Sequence, residues 1–231
     1  MKYLVALVVG LAFGTFLLFA GLYVNPFASK AALSPLAVSD DEMIVLDYSL
    51  VPSESVLFTN DGESTRTPYP AKVQQLWEPA IRQSWISVVG LASARGESIG
   101  LGIKFSSLSE ASRPLNAQAL VDSAWHVYLP GRGTLFVEQS ENYWRFLREI
   151  VIPARWSSSD SWRGSWHGNV TAGPGALQTA RVVGQTGEFA GVTAEAVESV
   201  HVAAYSSADG PVAMSGTLQI AVPKRARAAA K

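Results

Sequence analysis

The chain opens with an unbroken apolar run. Residues 3–24 contain no charged side chain and are almost all apolar or glycine. A helix over this run is about 33 Å long, close to the roughly 30 Å hydrocarbon core of a bilayer. The pattern predicts a transmembrane helix with Lys2 and the amino terminus on the cytoplasmic side, because positive charge is retained there. A core helix of a soluble domain rarely runs this long without a polar face. A cleaved signal has a shorter apolar core followed by a small-x-small site. Here the best such site, Ser29-Lys30-Ala31, lies well past the apolar run and carries a lysine. The expectation is therefore a retained anchor, with a cleaved signal as the alternative. Gly10 and Gly14 form a small-xxx-small pair that lets another helix approach closely.

Beyond a Ser/Ala/Pro-rich stretch, residues 25–41, the period becomes two. Residues 43–48, 55–59, 85–89 and 98–105 alternate as strands do, with turn signals at 60–62 and 94–97. A short helix is expected over 72–81, around Leu76 and Trp77. Residues 116–122 read as a helical turn or a strand entry. The clearest hairpin joins 124–129 to 134–138 through Pro130-Gly131-Arg132-Gly133. Residues 141–152 read first as helix, on the face of Trp144, Leu147 and Ile150, and then as a strand ended by Pro153. Strands follow at 162–171, 177–183, 192–204 and 214–222, the third long and bent. Short strands separated by glycine indicate a mainly β fold: an antiparallel β-barrel after one transmembrane helix, with a β-sandwich as the alternative. The domain plan is an anchor at 1–24, a linker at 25–41, an extracytoplasmic β-barrel domain at 42–223 and a basic tail at 224–231.

Composition narrows the chemistry. The formal net charge is −1, which gives no electrostatic case for nucleic acid. Acidic residues run from Asp40 to Glu63 without a basic one among them, while Lys224, Arg225, Arg227 and Lys231 crowd the end. The tail reads as solvated, or as meeting lipid head groups. There is no cysteine, which removes thiol catalysis, Fe–S clusters and Cys-ligated zinc. His126, His167 and His201 are the only histidines, at no spacing that demands a metal. No cofactor and no metal is expected. Glu138, Glu141 and Glu149 offer an acid/base pair that the sequence does not place within reach. No serine-nucleophile elbow, Walker loop or dinucleotide fingerprint occurs. No catalytic residue is assigned. His126 and Tyr128 share one strand face, with Trp125 on the other. Together with Trp144, Trp162 and Trp166 they are the candidates for contact with a ligand or partner.

Residues 182–191, Val-Val-Gly-Gln-Thr-Gly-Glu-Phe-Ala-Gly, resemble the glycine turn of the allene oxide cyclase and dirigent superfamily, which joins two barrel strands. The aromatic–glycine alternation of 162–171 is similar too. Gly184, Gly187 and Gly191 permit tight backbone approach, and Phe189 between them can plug a barrel end. The resemblance covers the C-terminal half. It implies an eight-stranded antiparallel barrel with an apolar interior, which in some members holds an oxylipin or a phenolic radical. Those members' catalytic residues have no matching position here.

Two functions follow. One is a non-catalytic accessory or assembly subunit, in contact with membrane lipid and other membrane protein subunits. The other is a barrel that binds or isomerises a small apolar ligand. The expected location is the cytoplasmic (inner) membrane, single-pass, with the C-terminal domain periplasmic or extracellular. Mass spectrometry of the membrane-extracted protein should find Met1 or Lys2 at its N-terminus. A mature chain starting after Ala31 would show a cleaved signal instead.

Overall fold

A computed structural model describes residues 2–24, 42–51, 54, 56–59 and 84–223. The expected linker, the turn at 60–62, the helix at 72–81 with Trp77, and the basic tail lie outside the described residues. The apolar run forms helix α1 (Lys2–Val24), long and apolar enough to cross a membrane. None of its described side chains is buried, and Gly10 and Gly14 face open space.

The rest is mainly β and antiparallel. The strands are β1 (Glu42–Ser49), β2 (Val56–Thr59), β3 (Ser84–Ala92), β4 (Ser98–Leu108), β5 (Leu120–Leu129) and β6 (Gly133–Asn142), then β7 (Ser161–Asn169), β8 (Thr171–Gly173), β9 (Ala180–Gly187), β10 (Thr193–Ser206) and β11 (Gly210–Val222). Neighbours run β1-β11-β10-β9-β6-β5-β4-β3, and Asp47 of β1 pairs with Ala92 of β3, closing a ring of eight strands. Closure removes the unpaired edges that an open sheet would expose. The expected barrel, not the sandwich, is therefore the observed fold. β2 prolongs the line of β1 along β3, from Val56 opposite Val88 to Thr59 opposite Trp85. β7 pairs with the far half of β10, and β8 with the end of β6.

Alternation puts one side of each strand inside. Ile44, Leu46, Leu91, Val127, Leu135, Val137, Val182, Leu218 and Ile220 fill the barrel. A second, smaller core holds Ile150, Trp166, Val170, Val200, Val202 and Met214, where β10 and β11 run past the barrel. Leu50 packs against both cores.

Three local readings are corrected. Residues 150–152 are helical, not a strand: a helical segment starts at Trp144–Phe146, loosens to π geometry over Leu147–Val151 and ends in Ile152–Trp156. Burial of Ile150 and Ala154 outweighs the β preference of the Ile-Val-Ile run. Residues 162–171 split at Val170, so that the first part serves β10 and the second serves β6. The strand expected from 177 begins only at Ala180, and Leu177 is exposed. Residues 116–122 resolve into a 3-10 turn, Pro114–Asn116, followed by the start of β5. β10 is long and bent as expected, with register shifts between Val202 and Tyr205.

The glycine turn also forms as read. It joins β9 to β10, Gly187 and Gly191 have φ of 63° and 72°, and Phe189 is buried in the barrel core. A Cβ on Gly184 would lie 1.7 Å from the Phe189 carbonyl oxygen, so this position needs glycine for space.

Large interior rings lie on strand glycines. A Cβ on Gly216 would fall 2.1 Å from the Tyr48 ring, and one on Gly102 would fall 2.8 Å from the Trp125 ring. Gly216→Ala should destabilise the fold by about 1–3 kcal/mol through overpacking. Gly90→Ala, which meets nothing within 4 Å, should be neutral or slightly stabilising. Equilibrium urea unfolding of the two variants checks both expectations.

Candidate functional site

Between the two apolar cores lies a layer of polar side chains. Lys104 of β4, Ser123 and Trp125 of β5, Gln139 and Glu141 of β6, Thr171 of β8 and Glu198 of β10 are all buried, together with Tyr48 of β1. Strand parity places them there. Glu198 has the same parity as Ala194 and Ala196, which face the barrel core, and as Val200 and Val202, which face the second core. Glu141 and Gln139 continue the inward row of Leu135 and Val137.

Lys104 Nζ is 2.6 Å from Glu141 Oε1 and 2.6 Å from Glu198 Oε1. The Tyr48 hydroxyl donates to Glu198 Oε1, and Trp125 Nε1 donates to Glu198 Oε2 at 3.0 Å. Gln139 Nε2 donates to both carboxylates, at 2.7 Å to Glu141 Oε1. Ser123 Oγ donates to Glu141 Oε1 at 2.6 Å. Thr171 Oγ1 donates to Gln139 Oε1 at 3.0 Å and accepts from the Glu198 backbone N–H at 2.7 Å. The Lys104 ammonium also sits 5.2 Å from the Trp125 ring centroid, and Tyr48 meets that ring edge-on at 4.9 Å. Among the described residues no hydrogen bond reaches Glu141 Oε2.

One ammonium faces two carboxylates, so full ionisation leaves one uncompensated buried charge. Burial pushes the Glu141 carboxyl above its usual range, and Lys104 only partly offsets this. Burial pushes Glu198 the same way, but Lys104 and the hydrogen bonds from Tyr48 and Trp125 outweigh it, and Glu198 ends below its usual range. Burial works against charge on Lys104, yet the two carboxylates hold its pKa above the ordinary value. Burial and the Glu198 charge push the Tyr48 hydroxyl well up. Glu141 is thus the group that most readily holds a proton: with Glu141 protonated, the Lys104 and Glu198 charges cancel and the cluster is neutral.

A cavity of about 610 Å³ adjoins this layer. Its walls come from strands β3 to β6. Two outward rows, Ser84, Ser107, Asp122 and Ser140, then Ile86, Phe105, Ala124 and Glu138, flank the inward row of Trp85, Ser106, Ser123 and Gln139. Ser123 and Gln139 therefore lie between the two: the rows on either side of them face the cavity, while their own side chains turn inward to Glu141.

The expected contact residues do not converge. Trp125 belongs to the buried cluster. His126 and Tyr128 face outward on β5, and His126 Nε2 meets Gln185 Oε1 at 3.2 Å. Trp144 opens the helical segment, its buried indole N–H without a partner among the described residues. Trp162 and Trp166 build the second core, their rings lying over Gly164 and Gly168. Trp166 Nε1 donates to Glu149 Oε2 at 2.7 Å. Of the three expected glutamates only Glu141 reaches the cluster. Glu138 is exposed near Arg181, and Glu149 is held by Arg145 and Arg148. No group of three or more His, Asp or Glu side chains suited to a metal occurs among the described residues.

Sequence reasoning missed Tyr48, Lys104, Ser123, Gln139, Thr171 and Glu198. The available signal was parity: Glu198 occupies an inward position of an otherwise apolar row, and Lys104 follows Gly100 and Gly102 on the inward side of β4.

The fold and the cluster define a closed antiparallel β-barrel with an ionisable layer in its interior. No protein-family model matches the chain, and no curated protein matches it. Among solved structures, the chain is similar to a nonspecific heme-binding cyclase that catalyses a cycloaddition in neoabyssomicin biosynthesis. Identity is 9%, with 81% of this chain and 70% of that one covered, at a TM-score of 0.42. It is similar also to the Diels Alderase AbmU from Streptomyces koyangensis, at 10% identity over 84% of this chain and 75% of that one, with a TM-score of 0.41.

The two carboxylates affect stability with opposite sign. Glu198, with its lowered folded pKa, stabilises the fold above the ordinary carboxylate value of about 4.3, and this is lost as pH falls through its folded pKa. Glu141, with a raised folded pKa, makes the fold less stable as pH rises from about 4.3 to that raised value. Glu198→Gln should therefore cost on the order of 3 kcal/mol at pH 7, because it breaks a buried pair. Glu141→Gln should cost about 1 kcal/mol or less, and should abolish the gain in stability on acidification towards pH 5. Denaturant titrations of both variants across pH 4.5–8 check the assignment.

Proposed function

We propose that the extramembrane domain is a small-molecule barrel that binds a mainly apolar molecule with a polar head and isomerises it by proton transfer. The reading is supported above all by the ionisable layer: Lys104, Glu141 and Glu198 are buried in mutual contact between two apolar cores, beside a cavity. An apolar layer of the same volume would stabilise a barrel as well or better, so a buried charged cluster is a functional candidate. The apolar body of the ligand lies against Ile86, Phe105 and Ala124, and its polar head meets Ser107, Asp122 and Ser140 on the same outward face. Ser123, beneath that face, donates its hydroxyl to Glu141, which supplies or removes the proton. Lys104 keeps Glu198 ionised while Glu141 changes state. Helix α1, retained, holds the barrel on the extracytoplasmic side of the cytoplasmic membrane, where apolar molecules concentrate.

The test uses the full-length protein in mild detergent, with medium-chain ketones and fatty acids as probes and tryptophan fluorescence as the readout. Saturable binding is expected for the parent. Ala124→Trp, which fills the cavity wall, should abolish binding at unchanged fold. Solvent-deuterium exchange next to the ketone carbonyl should be catalysed by the parent and lost in Glu141→Gln. Binding that survives Ala124→Trp would refute the cavity, and exchange that survives Glu141→Gln would refute the proton-transfer role.

A further inference from the structure

On the outer face of the sheet extension, away from the buried layer, His167 of β7 stands directly opposite His201 of β10. Their rings are stacked, with centroids 4.2 Å apart and planes 18° from parallel. His167 is exposed and His201 half-buried. No ring nitrogen of either takes part in a hydrogen bond among the described residues, whereas His126 on β5 is tied to Gln185. The register neighbours on this face, Asn169, Ser199 and Ser215, are small and uncharged. No cation sits beside the pair in the register to compete for its lone pairs.

We propose that His167 and His201 form a bidentate surface site for a divalent transition-metal ion, copper(II) being the preferred probe. Directly opposed strand residues are close enough for both imidazoles to reach one ion. Metal–nitrogen bonds of about 2.0–2.1 Å place two ligand nitrogens about 3 Å apart. To bind one ion the rings leave the stack, each turning about χ1 and χ2 until their in-plane lone pairs converge. The paired strands already hold the two backbones side by side, so chelation has only the side chains to order. Imidazole nitrogen favours copper(II) over the other divalent first-row ions, and water completes the coordination. With two protein ligands the ion is exchangeable, unlike a closed structural site with four.

The experiment titrates copper(II) into the full-length protein in detergent at pH 7.5, followed by calorimetry and by electron paramagnetic resonance. One equivalent should bind, with hyperfine structure from two imidazole nitrogens. His167→Ala and His201→Ala should each weaken binding by roughly tenfold or more, as losing a ligand costs at least as much as losing a group that orients one. His126→Ala should leave binding unchanged. The site is overturned if binding persists at full strength in either single variant. A spectrum without two nitrogen ligands, or the absence of saturable binding, overturns it equally.

Discussion

The contact of Lys104 with Glu198, 2.6 Å in a layer closed to water, is the constraint around which the rest is arranged. Charges in such a place are tolerated only when each is paired and its remaining valences are met. Tyr48, Trp125 and Gln139 supply donors to Glu198, Ser123 and Gln139 supply them to Glu141, and Thr171 fixes both Gln139 and the Glu198 backbone. Six strands contribute, so the layer sets their register: a one-residue slip of β4 or β10 would turn Lys104 or Glu198 outward and leave its partner buried alone. The layer also separates the two cores, which share one face of β10.

Space in the barrel is governed by glycine as much as by large residues. Tyr48 lies over Gly216 and Trp125 over Gly102, so the two rings that reach Glu198 do so across strands that have no side chain in the way. In the second core Trp162 and Trp166 cover Gly164 and Gly168 in the same manner. At the other end of the barrel, Gly184 lets the chain pass close to Phe189, whose ring closes the apolar core. Aromatic rings thus provide bulk where it is needed, and glycine sets how near the backbones come. This is the physical content of the aromatic–glycine alternation in the chain.

The apolar heart of the barrel is filled by side chains. Ser123 and Gln139 lie between an outer cavity and the carboxyl that holds a proton. Of the tryptophans that suggested binding in the sequence, Trp162 and Trp166 build the second core and Trp125 belongs to the layer itself, while Trp144 opens the helical segment. No observation among the described residues bears on an accessory-subunit role. Helix α1 is long and apolar enough to cross a membrane, and the barrel carries the ionisable layer.

Local pattern alone decided a good deal. The apolar run at the start, the strand alternation, the hairpin at 130–133 and the glycine turn at 184–191 are short-range signals, and short-range physics settles them. The Ile150-Val151-Ile152 run shows the limit: its β preference yields to the burial of Ile150 in a core built from strands far along the chain. The site shows the same limit more sharply. Lys104, Glu141 and Glu198 lie 37 and 57 residues apart, and nothing in the spacing joins them. His167 and His201 likewise met only through the pairing of β7 with β10. Periodicity says which side of a strand a residue occupies; closure of the barrel decides which residues that side faces. The sequence by itself determined an apolar helix and a set of alternating strands, because those depend on neighbours in the chain. Only the tertiary structure decided that three ionisable side chains share one buried layer, because that depends on ring closure and register.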